Sequence, residues 1–288
     1  MKRSSISLCI VFLVLCFSLA GPFSVWAQQL EEPKPCLPVR DVPPHQVAFQ
    51  EGEQLTMVAS YKWGLVMTDV GTVSLSLTEE RNHPVPQFFA QAEIRTARFF
   101  NAFFKVEDHY ESRFNVTNMR PTHFMRTIKE NKYRIENHYK YLPDGSIDAR
   151  IVRKGGIQDT LLPGRICTFD FVTLIYFLRN LDFEHMKVGQ VSPISFAVDD
   201  GIFELYLHYE GKEEKKIQGL GTFRCLKFAA QTVAGVVFDG KEDLLFWFSD
   251  DRNHIPLFLE SPVVIGRVMG RLQSYDNLRF PLTSKIDK

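Results

Sequence analysis

The densest run of side chains able to do chemistry is Ser249-Asp250-Asp251-Arg252-Asn253-His254, set between two apolar stretches at 244–248 and 255–259. Two carboxylates beside an imidazole can share acid–base work on a substrate or help hold a metal ion. On that chemistry Asp250, Asp251 and His254 are the catalytic candidates, and an envelope hydrolase acting on polysaccharide is the class they would serve. A polar hairpin loop uses the same residue types, because Asp and Asn side chains bond the backbone beside them and form turns. Neighbouring Asp residues on a strand also point to opposite faces. The loop reading is the stronger of the two here, and stronger still for Asp199-Asp200-Gly201. The histidines are scattered, and no H-E-x-x-H, G-x-S-x-G, Walker-type or C-x2-C spacing occurs. No metal site and no cofactor can be assigned from these residues. An enzyme is thereby weakened but not removed, since glycosidase carboxylates carry no local signature.

A second kind of candidate is apolar. The chain holds 25 Phe, more aromatic bulk than a thin sandwich core needs. Phe99, Phe100, Phe103 and Phe104 repeat at three and four, which predicts a short helix with an aromatic face. Set against a curled sheet, those rings, with Trp63 and Trp247, are candidates to line a cavity for a lipid or another apolar small molecule. Filling the core is the competing role.

The elements that must position these groups are mostly strands. Leu55, Met57, Ala59, Tyr61 and Trp63 alternate with polar residues, and period two returns at 73–77, 87–96, 108–116, 121–128, 133–141 and 147–153. A stripe of Phe171, Leu174, Ile175, Leu178 and Leu181 predicts one central helix, with Thr168 or Asp170 to cap it. Strands resume at 191–198, 202–210, 215–219, 223–233, 244–248, 255–260 and 263–275, with turn chemistry at 82–84, 199–201, 210–212 and 239–241. Consecutive hairpins without alternating helices exclude a parallel α/β fold. The expectation is a mainly β protein: a long antiparallel meander curled into a half-barrel or two-layer structure, with the central helix and the short aromatic one. A dozen or so strands in one sheet must curl, close or split.

The N-terminus carries Lys2 and Arg3, an apolar run from Ile6 to about Ala20, and Val25-Trp26-Ala27. A basic start, a short apolar core and a small-x-small site describe a secretory signal peptide, cut after about Ala27. Residues 28–50 are proline-rich and read as an extended leader that wraps the domain or tethers it. Residues 51–283 read as a single β-rich domain and 284–288 as a tail. Cleavage removes Cys9 and Cys16, leaving Cys36, Cys167 and Cys225, so at most one internal disulfide can form. Cys225 reads as a small buried hydrophobe. The full chain balances 34 basic against 34 acidic residues. Nucleic-acid binding through phosphates needs a basic excess, so that partner is not expected, and no segment of the mature chain is long and apolar enough to span a membrane.

Four segments together resemble a bacterial family. They are Tyr61-Lys62-Trp63-Gly64-Leu65 with Gly71 after it, Val106-Glu107-Asp108-His109-Tyr110-Glu111-Ser112, Tyr176-Phe177-Leu178-Arg179-Asn180, and the run from Trp247-Phe248-Ser249-Asp250-Asp251 to Ile255-Pro256-Leu257. The family is domain of unknown function 3108, and the resemblance runs from about residue 52 to 281. It implies a bacterial cell-envelope protein with the periplasm as destination, and it supplies no catalytic residue to carry over. The reading that follows is a periplasmic binding or carrier protein for an apolar or amphipathic ligand. An envelope hydrolase and a structural component that engages an envelope protein partner stand beside it.

Overall fold

Alternation of residue character becomes alternation of burial. In the strand Glu107–Asn115, Asp108, Tyr110, Ser112 and Phe114 are buried while His109, Glu111 and Arg113 are partly exposed, as a pleated strand requires when one face meets the core. The computed structural model describes residues 36–38, 41–81, 86–232, 244–263 and 265–286. The expected signal segment 1–27, the leader residues 28–35 and the turns at 82–84 and 239–241 lie outside the described residues.

Eight strands run first: β1 (Gln54–Trp63), β2 (Val66–Glu80), β3 (Gln87–Thr96), β4 (Glu107–Asn115), β5 (Pro121–Glu130), β6 (Tyr133–Tyr141), β7 (Ile147–Arg153) and β8 (Gly156–Leu162). The short β9 (Thr168–Phe169) leads into the helix α1 (Phe171–Leu178). Seven more strands follow: β10 (Val191–Val198), β11 (Gly201–Ile217), β12 (Gly221–Thr232), β13 (Leu244–Ser249), β14 (Pro256–Pro262), β15 (Arg267–Asp276) and β16 (Lys285–Ile286). Each half is an antiparallel meander. The halves join where β1 pairs with β15, Leu55 opposite Tyr275 and Tyr61 opposite Val268, so one 16-stranded sheet runs from β8 through β1 and β15 to β9. One pairing is parallel, β9 with β10, made possible by the α1 crossover between them.

A sheet this long curls, and here it curls around α1, which packs on β3, β4 and β10. Asp170 caps the helix, its carboxylate accepting from the N–H groups of Val172 and Thr173 at 2.9 and 2.8 Å and from the Ser112 hydroxyl of β4 at 2.8 Å. Phe171, Val172, Leu174, Tyr176 and Phe177 join Leu55, Leu75, Phe114, Phe196 and Phe228 in one apolar cluster that spans both meanders.

Several expectations are corrected. Glu210-Gly211-Lys212 is a bulge inside the 17-residue β11, with the register against β12 shifting between Tyr209 and Gly211. Gly211 has φ +104°, a conformation glycine adopts without a Cβ penalty, and bulges as well as turns need it. Strand β8 escaped because its residues are mostly exposed and do not alternate, and β9 because two residues have no period. The aromatic helix is a single 3-10 turn, Phe100–Ala102. The proline-rich leader ends inside the core, with Val47, Ala48 and Phe49 buried and the Phe49 ring edge-on to Tyr176 at 4.8 Å. The expected tail pairs Ile286 with Thr222.

Candidate functional site

Between α1 and the sheet lies an apolar cavity of about 120 Å³. Its walls include Met57, Val73, Ala92 and Ile94 from β1 to β3, Leu174, Ile175 and Leu178 from α1, and Leu205, Ala230 and Phe246 from the second meander. Ala92 of β3 and Ala230 of β12 leave room in this wall, set opposite the larger Leu75 and Tyr110 and the larger Leu207 and Leu244 on their neighbouring strands. An apolar void of this size is comparable to one that stays dry and takes a benzene-sized molecule.

Of the six aromatic candidates, Trp247 belongs to the cavity wall. Its indole N–H donates to Glu213 at 2.6 Å, and the Lys215 ammonium sits 3.5 Å from its ring centroid. Phe99, Phe103 and Trp63 do not line the cavity but are exposed at one end of the sheet, Phe100 packs in a second small cluster, and Phe104 packs at the edge of the main core. The physical reason is reach. The segment 97–104 turns at the rim just beyond the last β3–β4 pair, Arg95 with Glu107, and is too short to fold over the interior.

The catalytic candidates do not converge. Asp251 accepts from the Ser249 hydroxyl and the Asn253 N–H at 3.0 Å each through one oxygen, and from the Ser284 N–H at 3.1 Å through the other. Asp250 instead turns to Lys212 at 2.9 Å. His254 lies edge-on to Phe183, and its Nδ1–H donates to the Arg179 carbonyl at 2.8 Å. Burial pushes its pKa below the usual imidazole value. Asp251 and Asn253 anchor the C-terminal segment, Asn253 exchanging hydrogen bonds with the Phe280 backbone. Asp199 and Asp200 form the β10–β11 turn, as read, but Asp199 also meets the buried Arg126 of β5 in an ion pair. Among the described residues no group of three or more His, Cys, Asp or Glu side chains could hold a metal ion.

Two buried clusters were not anticipated. Arg179, at the end of α1, is fully buried and forks onto the equally buried Glu53 at 2.5 and 2.8 Å. Its Nε–H also donates to the Asn253 carbonyl at 3.1 Å. The second lies on the interior face of β4 and β5. Asp108 accepts from the Lys129 N–H at 2.9 Å through Oδ1, while its buried Oδ2 has no hydrogen-bond partner among the described residues. Burial pushes the Asp108 pKa up to about 6, and burial plus the Asp108 charge pushes Glu130 to about 7. Strand parity could have exposed this cluster, since Asp108 shares a face with Tyr110 and Phe114, and Glu130 with Phe124 and Ile128.

These two carboxyls make the fold less stable at neutral pH than in mild acid. Their folded-state pKa values lie above the unfolded ones, near 4, so the stability they contribute is complete below about pH 4 and is lost as pH rises through about 6 to 7. Asp108→Asn is therefore expected to stabilise the protein by about 1–3 kcal/mol at pH 8 and by little at pH 4, read from urea midpoints at the two pH values. Equal midpoints for variant and parent at pH 8 would count against the assignment.

The architecture defines the class: among the described residues, one long, almost wholly antiparallel sheet curled around α1 with an apolar interior. Within that class, the chain belongs to the family described as Protein of unknown function (DUF3108), whose model matches residues 57–273. Two of its four quoted segments meet in space, Arg179 of the helix run bonding Asn253 and His254 of the tryptophan run. The chain is also similar to the crystal structure of a beta-barrel-like protein of domain of unknown function DUF1849 from Brucella abortus, with a TM-score of 0.53 and 10% identity, over 80% of this chain and 99% of that one. At that identity the fold is what the two share. No curated protein matches the chain. Among the described residues no helix is long and apolar enough to cross a membrane.

Proposed function

We propose that the protein is a carrier of apolar or amphipathic molecules in the cell envelope, holding an alkyl chain or single ring between α1 and the sheet. The observation that carries this reading is the cavity, about 120 Å³ and lined almost wholly by hydrocarbon. Close packing fills most interiors, and a void beside the helix costs stability that a core-filling role alone would not require. Export is supported by the signal-like residues 1–27 and by the Cys36–Cys167 disulfide, a bond that persists in oxidising compartments.

Native mass spectrometry of protein recovered from its own envelope is expected to show a bound small molecule. Benzene, followed by titration calorimetry as the probe, is expected to bind about tenfold more weakly after Ala92→Leu or Ala230→Leu, whose added carbons occupy the void, with the melting temperature kept or raised. The reading is overturned if no mass is carried and both variants bind the probe as the parent does.

A further inference from the structure

The aromatic residues that the fold keeps out of the cavity are gathered elsewhere. At the end of the sheet where β1 turns into β2, Leu65 is fully exposed, and Trp63, Phe99 and Phe103 are 66%, 74% and 76% exposed. Register brings these tips together. Trp63 pairs with Val66, Gly71 with Thr96 just before the Phe99 segment, and the Tyr61 hydroxyl donates to the carbonyl of the exposed Ile265 at 2.5 Å. Beneath them Ala59, Val70 and Val268 form a small apolar cluster against which Phe100 packs. Met57, Ala59, Tyr61 and Trp63 share one face of β1. That face therefore runs from the cavity wall to the exposed rim, about 20 Å at the rise of a strand.

We propose that this end of the sheet docks on a lipid bilayer carrying anionic headgroups, inserting Leu65, Phe99 and Phe103 with Trp63 at the headgroup level. Three features favour a bilayer over a second copy of the chain or a protein partner. The apolar groups project from separate loop tips, and a fluid phase accommodates projections that a packed protein interface must match in shape. Trp63 combines a broad apolar ring with an N–H donor, the combination favoured at membrane–water interfaces. Finally, the exposed Lys62 and Arg98 beside these tips make no ion pair among the described residues. Glu93 and Glu107, at the same end of β3 and β4, are held by Arg95 and Lys105 at 2.8 and 2.9 Å. The local charge left over is positive, as attraction to an anionic leaflet requires. The surface stands on the tips alone, whether or not the cavity holds a ligand.

The test is sedimentation with vesicles of phosphatidylglycerol and phosphatidylethanolamine, and with phosphatidylcholine vesicles, using parent and variants recovered from the same host so that their N-termini match. Binding to the anionic vesicles is expected to fall about 100-fold in L65S/F99S/F103S. In K62E/R98E it is expected to fall about tenfold on anionic vesicles and not at all on phosphatidylcholine. All changed residues are exposed, so unchanged circular dichroism melts will show that folding is kept. Brominated lipids are expected to quench the fluorescence lost in Trp63→Phe. The cavity variant Ala92→Leu is expected to bind vesicles as the parent does, which separates this surface from the carrier reading. Equal vesicle binding by parent and L65S/F99S/F103S overturns the proposal, as does a dimer that this variant disperses without any vesicle binding by the parent.

Discussion

Replacing Arg179 with methionine is expected to cost about 3–5 kcal/mol of stability, and replacing Glu53 with leucine in the same chain is expected to recover most of it. The guanidinium is fully buried. It forks onto both Glu53 oxygens, donates to the backbone carbonyls of Asn253 and Ala48 at 3.1 and 3.3 Å, and lies 5.2 Å from the centroid of the Phe49 ring. Methionine fills similar volume but leaves the Glu53 carboxylate, 1% exposed, with no counter-charge. An unpaired buried charge is the expensive state, whereas two apolar groups of matched shape are not. The double variant should therefore fall within about 2 kcal/mol of the parent, the remainder being the carbonyls that lose a donor. Arg179→Lys should also destabilise, because a single ammonium cannot reproduce the planar fork. Urea unfolding at pH 7 measures all three. A loss below 1 kcal/mol for the single methionine variant would show that the pair does not hold the leader, helix end and 249–254 loop together.

Reducing the Cys36–Cys167 disulfide is expected to lower stability by about 4 kcal/mol. The two cysteines are 131 residues apart with Cα atoms 6.2 Å from each other, so the bridge closes a large loop in the unfolded chain and removes much of its entropy. It ties the leader to the segment just before α1. Two backbone bonds help, Leu37 N–H to Pro193 at 3.0 Å and Val42 N–H to Thr117 at 2.6 Å, but neither is covalent. Cys36→Ser is expected to lower the urea midpoint to the value of the reduced parent, and to speed proteolysis within residues 41–46, which precede the buried Val47–Phe49 plug. Cys225, outside the bridge, is fully buried, and burial pushes its pKa up to about 12, so in the bridged protein it should not react with thiol reagents until unfolding. A midpoint unmoved by reductant would mean that packing of the leader, and not the bridge, sets its stability.

Much of the architecture was legible in the residues themselves. A pleated strand with one wet face writes its own period into the chain, so β1 and β3 to β7 were read close to their observed limits, whereas β2, which runs Val66–Glu80, was read only at 73–77. The helix stripe and its Asp170 cap are equally local, since a cap satisfies N–H groups two and three residues away. The local part of the Asp250–Asp251 loop, where Asp251 accepts from Ser249 and Asn253, followed from turn chemistry, whereas its bonds to Lys212, Ser284 and Phe280 depend on the tertiary structure. What local pattern could not convey is which surfaces curvature brings together. The cavity exists because Ala92 and Ala230, 138 positions apart by their numbering, face the same helix from opposite meanders. Nothing beside Arg179 in the sequence marks it as half of a buried ion pair, and only the curl of the sheet sets Glu53 against it. The four phenylalanines and Trp63 shared a composition suited to a cavity wall, yet hydrophobic character is non-directional and does not say which side of a rim a residue will occupy. Chain reach and strand register decided that, leaving Trp63, Phe99 and Phe103 exposed at the edge of the sheet and packing Phe100 and Phe104 against the inner clusters.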